Sequence, residues 1–142
     1  MIKGLEHVAL SVSDLQRSLA FYTELIGLEL VRVIDSTPEM GLGRVNALPG
    51  SAAKIAHLQA GPMMLELFEY TDPRGRAIPG DRNQADQGYI HAGFTSDDVR
   101  ADHARLAEAG VRFLGEPVEY RPGVWIVYFY GPDGEVCELR QS

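Results

Sequence analysis

Cysteine, basic charge and long apolar runs are all scarce in this sequence. Its one cysteine, Cys137, cannot form an intrachain disulfide, which fits a reducing compartment, and a cytoplasmic protein is expected. No apolar run approaches the ~18 residues that a spanning helix needs. The opening MIKGLEHVAL has neither a signal-peptide apolar core nor a cleavage site, so no membrane partner is expected. Thirteen Lys and Arg against twenty Asp and Glu leave a net charge of −7, which argues against nucleic acid as a partner. GxSxG, a Gly-rich phosphate loop and CxxC are missing as well. Hydrolase, NTPase and dithiol-redox chemistry therefore have no support.

What is present is an ordinary globular composition, 142 residues with 45% hydrophobic and 23% charged. That length suits one domain, with roughly two-thirds of its surface buried on folding. The informative feature is an internal repeat. HVALSVSDL begins at His7 and HAGFTSDDV at His91. Each reads as a short strand, a polar cap and a helix. An aspartate follows each histidine at the same interval, at Asp14 and Asp98, and each helix ends on a glycine, Gly27 or Gly110. A left-handed cap is expected at those glycines.

Ser13 followed by Gln16 forms a capping-box pattern, and Leu15, Leu19, Tyr22 and Leu25 fall at helical spacing. The second helix is expected from about Asp98 to Ala109. Strands are expected at 28–34, 53–59 and 63–70 in the first half, and at 111–114, 124–130 and 135–140 in the second. GPDGE between the last two marks a hairpin turn. The expected fold is α+β, two tandem βαβββ modules forming one domain over 1–142. Module one covers about 1–70, a linker loop 71–87, and module two about 88–142.

Strand alternation then places the ionisable groups. Val8, Leu10 and Val12 share the apolar face of the first strand, so His7 points the other way. Leu65 and Leu67 share one face of MMLELFEY, with Glu66 on the other. His91 alternates with Ile90 and Ala92, and Glu138 with Cys137 and Leu139. Each half thus supplies a histidine at its first strand and a glutamate at its last, away from the helix-packed core. Two imidazoles and two carboxylates, if gathered in a cleft between the modules, suit an open site for a divalent transition metal. Zn, Ni, Co, Mn and Fe are all compatible.

HVALSVSDLQRSLAFYTELIGLELV, MMLEL and GPDGEVCEL resemble the first βα unit, fourth strand and last hairpin of the vicinal oxygen chelate superfamily. That superfamily includes glyoxalase I, methylmalonyl-CoA epimerase, extradiol dioxygenases and bleomycin-resistance proteins. The resemblance covers essentially the whole chain. It implies His7, Glu66, His91 and Glu138 as metal ligands, and Glu66 and Glu138 as the acid–base groups. A small carbonyl substrate would chelate the ion through adjacent oxygens and react through an enediolate or enolate. The resemblance also implies a homodimer.

The His/Glu/His/Glu set is the pattern of many bacterial glyoxalase I enzymes, so a lactoylglutathione lyase-like reaction ranks first. Methylmalonyl-CoA epimerase-like racemisation is the alternative. Epimerases usually carry glutamine where this chain has Glu66, and expect a carboxylate near the third strand. Val45 to Leu65 contains no Asp or Glu. An extradiol-type dioxygenase and a non-enzymatic drug-binding protein rank below these. His57 is expected to be packed or partly exposed on the face of Ile55, and His103 to edge the second helix. Cys137 should pack in the core. Arg32 and Arg140 are expected at the surface.

Overall fold

The computed structural model describes residues 1–142 as two compact units, Met1–Ala77 and Ile78–Ser142. The first unit runs β1 (His7–Ser11), α1 (Leu15–Ala20) extended by a π-helical stretch (Phe21–Leu25), then β2 (Glu29–Ser36). A 3-10 turn (Pro38–Met40) and the short α2 (Leu42–Val45) lead to β3 (Ala52–Ala60) and β4 (Met63–Asp72). The second unit runs β5 (Ala92–Thr95), α3 (Val99–Glu108), β6 (Val118–Arg121), β7 (Val124–Tyr130) and β8 (Val136–Gln141). Each unit is a mixed four-stranded sheet, ordered β1-β4-β3-β2 in one and β5-β8-β7-β6 in the other. First and last strands pair in parallel, and the remaining pairs are antiparallel. The fold is therefore α+β, with the βαβββ order in both halves. No helix is long and apolar enough to cross a membrane.

Both units start their long helix in the same way. Asp14 is extended, at φ −147° and ψ 109°, and its Oδ1 accepts from Arg17 N at 3.0 Å. Asp98 Oδ1 accepts from Arg100 N and Ala101 N at 3.1 Å each. Aspartate is a favoured cap because its carboxylate satisfies first-turn amides. The Ser13–Gln16 capping box does not form: the helix starts one residue later, and Ser13 Oγ accepts from Arg17 Nη2 at 3.0 Å instead. The last strand supplies a second cap in each unit. Leu15 N donates to Glu69 Oε2 at 2.7 Å, and Val99 N to Gln141 Oε1 at 3.1 Å. Beyond the helices, Gly27 and Gly110 hold φ of 90° and 86°, where any side chain would strain the backbone.

Most of the core lies on the helix-packed face of each sheet, with Ala53 and Ile55 buried on the other face of the first. Leu15, Leu19 and Tyr22 bury against the β3–β4 side carrying Ala56, Leu58, Leu65 and Leu67. In the second unit Val99 and Leu106 bury with Val127, Phe129, Cys137 and Leu139. The strand expected at 111–114 is replaced by a single bridge, Phe113 to Phe129. Phe113 packs there, its ring 4.3 Å from His103 and 5.9 Å from Phe129, but Gly115-Glu116-Pro117 interrupts the ladder. Pairing resumes in β6, an exposed edge strand.

Candidate functional site

The parallel ladders place the glutamates equivalently in the two units: Ala9 lies opposite Glu66 and Gly93 opposite Glu138. Each histidine stands two residues before that partner, His7 within β1 and His91 one residue before β5 rather than in the strand expected for it. His7 Nε2 is 3.7 Å from Glu66 Oε2, and His91 Nε2 is 3.2 Å from Glu138 Oε2. Both glutamates lie opposite the helix-packed faces, and Glu138 is only 8% exposed.

The far nitrogen of each imidazole is engaged by an outer oxygen. His7 Nδ1 is 2.6 Å from Glu6 Oε2, and His91 Nδ1 is 3.1 Å from Gln84 Oε1. Gln84 comes from the irregular connection before β5, and its own amide nitrogen donates to Ile90 O at 3.2 Å. An acceptor at Nδ1 favours the tautomer with its proton there and leaves Nε2 beside the glutamate of the same unit. The Glu6 hydrogen bond above all, then the charge of Glu66, raises the His7 pKa above its ordinary 6.5.

Each glutamate also has a donor directly across the antiparallel ladder. His57 pairs with Glu66 and Tyr128 with Glu138. His57 Nε2 lies 3.3 Å from Glu66 Oε1, while Arg32 Nε donates to His57 Nδ1 at 3.1 Å. The Tyr128 ring centroid is 4.9 Å from that of His91. Burial, then the charge of Glu138, raises the Tyr128 pKa above 10.0, so the hydroxyl keeps its proton at neutral pH. His57 sits on the face of Ile55 and is buried, as the alternation implies, but its two ring nitrogens meet Arg32 and Glu66. The signal for this was the Gly61-Pro62 turn, which sets Ala60 opposite Met63 and hence His57 opposite Glu66.

The donor chemistry fits a divalent ion. Two ligands bound at about 2.0–2.2 Å stand roughly 3.0–3.4 Å apart when they share an edge of the coordination shell. The His91–Glu138 separation of 3.2 Å is in that range, and the His7–Glu66 separation of 3.7 Å is slightly wider. The side chains are gathered as two pairs, one in each unit. No group of three or more His, Cys, Asp or Glu forms a ready metal cluster. His103 stays at the edge of α3, its Nε2 3.8 Å from Glu116. Arg140 shares the Glu138 face of β8, opposite Ile126.

Comparison with known proteins matches this architecture. Residues 4–139 match the model of the Glyoxalase/Bleomycin resistance protein/Dioxygenase superfamily. The chain is 37% identical to a 2-epi-5-epi-valiolone epimerase from Actinomyces sp, covering 96% of this chain and 78% of that protein. It is 29% identical to an ethylmalonyl-CoA/methylmalonyl-CoA epimerase from Cereibacter sphaeroides, covering 99% of each. The crystal structure of a glyoxalase family protein from Bacillus cereus superposes with a TM-score of 0.88 at 26% identity, over 99% of this chain and 94% of that one. With the family model matched over nearly its whole length, the chain belongs to the glyoxalase/bleomycin resistance protein/dioxygenase superfamily.

Proposed function

We propose that this protein is a divalent-metal-dependent isomerase that moves a proton on the carbon next to a carbonyl, and that its reaction is an epimerisation. The observation that carries the reading is the His–Glu pair repeated in one register in both units, with Nε2 beside the glutamate each time. The relatives named as epimerases favour epimerisation over the lyase reaction ranked first from the donor set. The substrates for which those relatives are named suggest an α-hydroxy ketone or an acyl-CoA thioester as the substrate class.

In this reading His7, Glu66, His91 and Glu138 hold one ion. When bound, it supplies Lewis acidity that polarises the substrate carbonyl and offsets the negative charge of the enolate. The neutral Nε2 atoms would bind without adding charge, and the ionised glutamate would lower the net charge of the set. Glu138, as the carboxylate, removes the proton from the α-carbon on one face; Glu66, entering the cycle protonated, returns its proton on the other, and exchange with solvent restores both. The cycle is redox-neutral: one C–H bond breaks, one forms, and the configuration inverts. Tyr128 stands beside Glu138 across the β7–β8 ladder. Lactoylglutathione lyase-like proton transfer is the second reading, favoured by the carboxylate at Glu66.

The test uses purified protein stripped with a chelator and reloaded separately with Zn, Ni, Co, Mn or Fe. α-Hydroxy ketones, acyl-CoA thioesters and hemithioacetals are then offered in deuterated water. Metal-dependent deuterium entry at the α-carbon with formation of the epimer supports the reading. Exchange independent of metal, or none on any substrate with any metal, overturns it. Homodimeric assembly belongs to the same reading, and sedimentation would give about twice the 15.6 kDa chain mass.

A further inference from the structure

Among the ionisable groups outside the four proposed ligands, His57 alone is buried, hydrogen-bonded at one ring nitrogen and within ion-pair distance of a proposed ligand at the other. It is 8% exposed, with Arg32 Nε on Nδ1 at 3.1 Å and Glu66 Oε1 on Nε2 at 3.3 Å. An arginine Nε–H can only donate. His57 Nδ1 must therefore accept, which puts the imidazole proton on Nε2, the nitrogen 3.3 Å from Glu66 Oε1.

We propose that His57 is a positioning residue for Glu66, locked into its donor tautomer by Arg32. The consequence is a division of labour within one carboxylate. Oε1 is held by the imidazole N–H, and Oε2, the oxygen facing His7 at 3.7 Å, is left for the ion or the moving proton. Without that hold the carboxylate can rotate about its last torsion, which is broad and poorly restrained. The register reinforces the assignment. β2, β3 and β4 carry Arg32, His57 and Glu66 at mutually opposed positions, so the sheet itself aligns the three side chains. Toward the metal, this inference rests on the ligand role given to Glu66 above.

Two measurements test it, and they fail separately. In the metal-free protein, nitrogen-15 shifts of His57 should report the Nε2–H tautomer, and Arg32→Ala should admit the Nδ1–H form. A wild-type His57 carrying its proton on Nδ1 overturns the proposal whatever the metal does. In the second arm, cobalt(II) is titrated against a competing chelator while its visible absorption is followed. His57→Phe should weaken binding ~10–100-fold, as loss of an outer hydrogen bond commonly does, and should alter the absorption bands. His57→Gln, which keeps an N–H donor, should recover part of both. In a Glu66→Ala background His57→Phe should have no further effect. Wild-type affinity and bands in folded His57→Phe overturn the positioning role. If wild-type protein binds no cobalt, the ligand reading falls, and the tautomer measurement still decides whether His57 donates to Glu66.

Discussion

Tyr128 stands directly across the β7–β8 ladder from Glu138, whose charge, after burial, raises the tyrosine pKa. This is the register position His57 holds opposite Glu66 in the other unit. The two donors differ chemically, phenol against imidazole, so the two glutamates are not equivalent despite the repeat. Replacing Tyr128 with Phe keeps the ring beside His91 and removes only the hydroxyl. Metal affinity or turnover should then fall roughly 10–100-fold. Chelator competition and kcat/KM check this, and unchanged values would leave the hydroxyl without a part in the site.

Acidification should release metal through His7 earlier than through an ordinary histidine. Its raised pKa arises first from the Glu6 hydrogen bond and then from Glu66. The favourable protonated pairing contributes stability below 6.5, the unfolded-state reference, and is lost as pH rises through the folded-state value. Metal binding has the opposite sign, because the ion needs the neutral ring. Glu6→Gln should therefore lower the His7 titration midpoint, read by NMR on metal-free protein. The pH at which metal is half lost should move down with it. A midpoint that stays put would exclude Glu6 as the main cause.

The paired caps lend themselves to a symmetric stability test. Glu69 and Gln141 reach from the last strand of each sheet to the first amide of the helix in the same unit. Removing either by Ala should cost about 0.5–2 kcal/mol, the usual cost of losing a helix cap. Glu69→Ala should cost more at low salt, since its negative charge also faces the positive end of the helix. Urea unfolding at two ionic strengths measures this. Equal and salt-independent losses would assign both side chains a packing role.

Much of this was legible because period-2 alternation and tight turns fix strand faces and register. His7, Glu66 and Glu138 lie opposite the helix-packed faces as alternation requires, whereas His91 falls one residue before β5. The caps were half legible: Asp14 and Asp98 were visible as a repeat, but the start of the first helix fell one residue beyond Ser13. Glu69 and Gln141 were hidden because their partners lie 54 and 42 residues away. VRFL looked like a strand because its apolar pattern is real. That pattern packs Phe113 without building a ladder. Arg32 was hidden for a related reason: its role depends on the β2–β3 register, which shifts between Leu30 and Arg32. His57 was within reach of the two-residue turn at Gly61-Pro62, had register been followed across it.

The two glutamates should separate ligand from base when each is made glutamine. The amide oxygen still coordinates an ion, but glutamine cannot accept the substrate α-proton at neutral pH. If both carboxylates carry protons, Glu66→Gln and Glu138→Gln should each lose about 10²–10⁴ in turnover, the usual worth of a positioned acid or base. Some metal should remain in both. The informative readout is deuterium wash-in at the α-carbon under single-turnover conditions, with metal content measured on the same sample. Suppose Glu138→Gln abolishes wash-in from one epimer while Glu66→Gln abolishes it from the other. Each glutamate then serves one face, as an inverting reaction requires. If only Glu138→Gln loses wash-in, one carboxylate serves both faces, and Glu66 is a ligand held by His57. If wash-in survives in both variants with metal retained, neither carboxylate is the base.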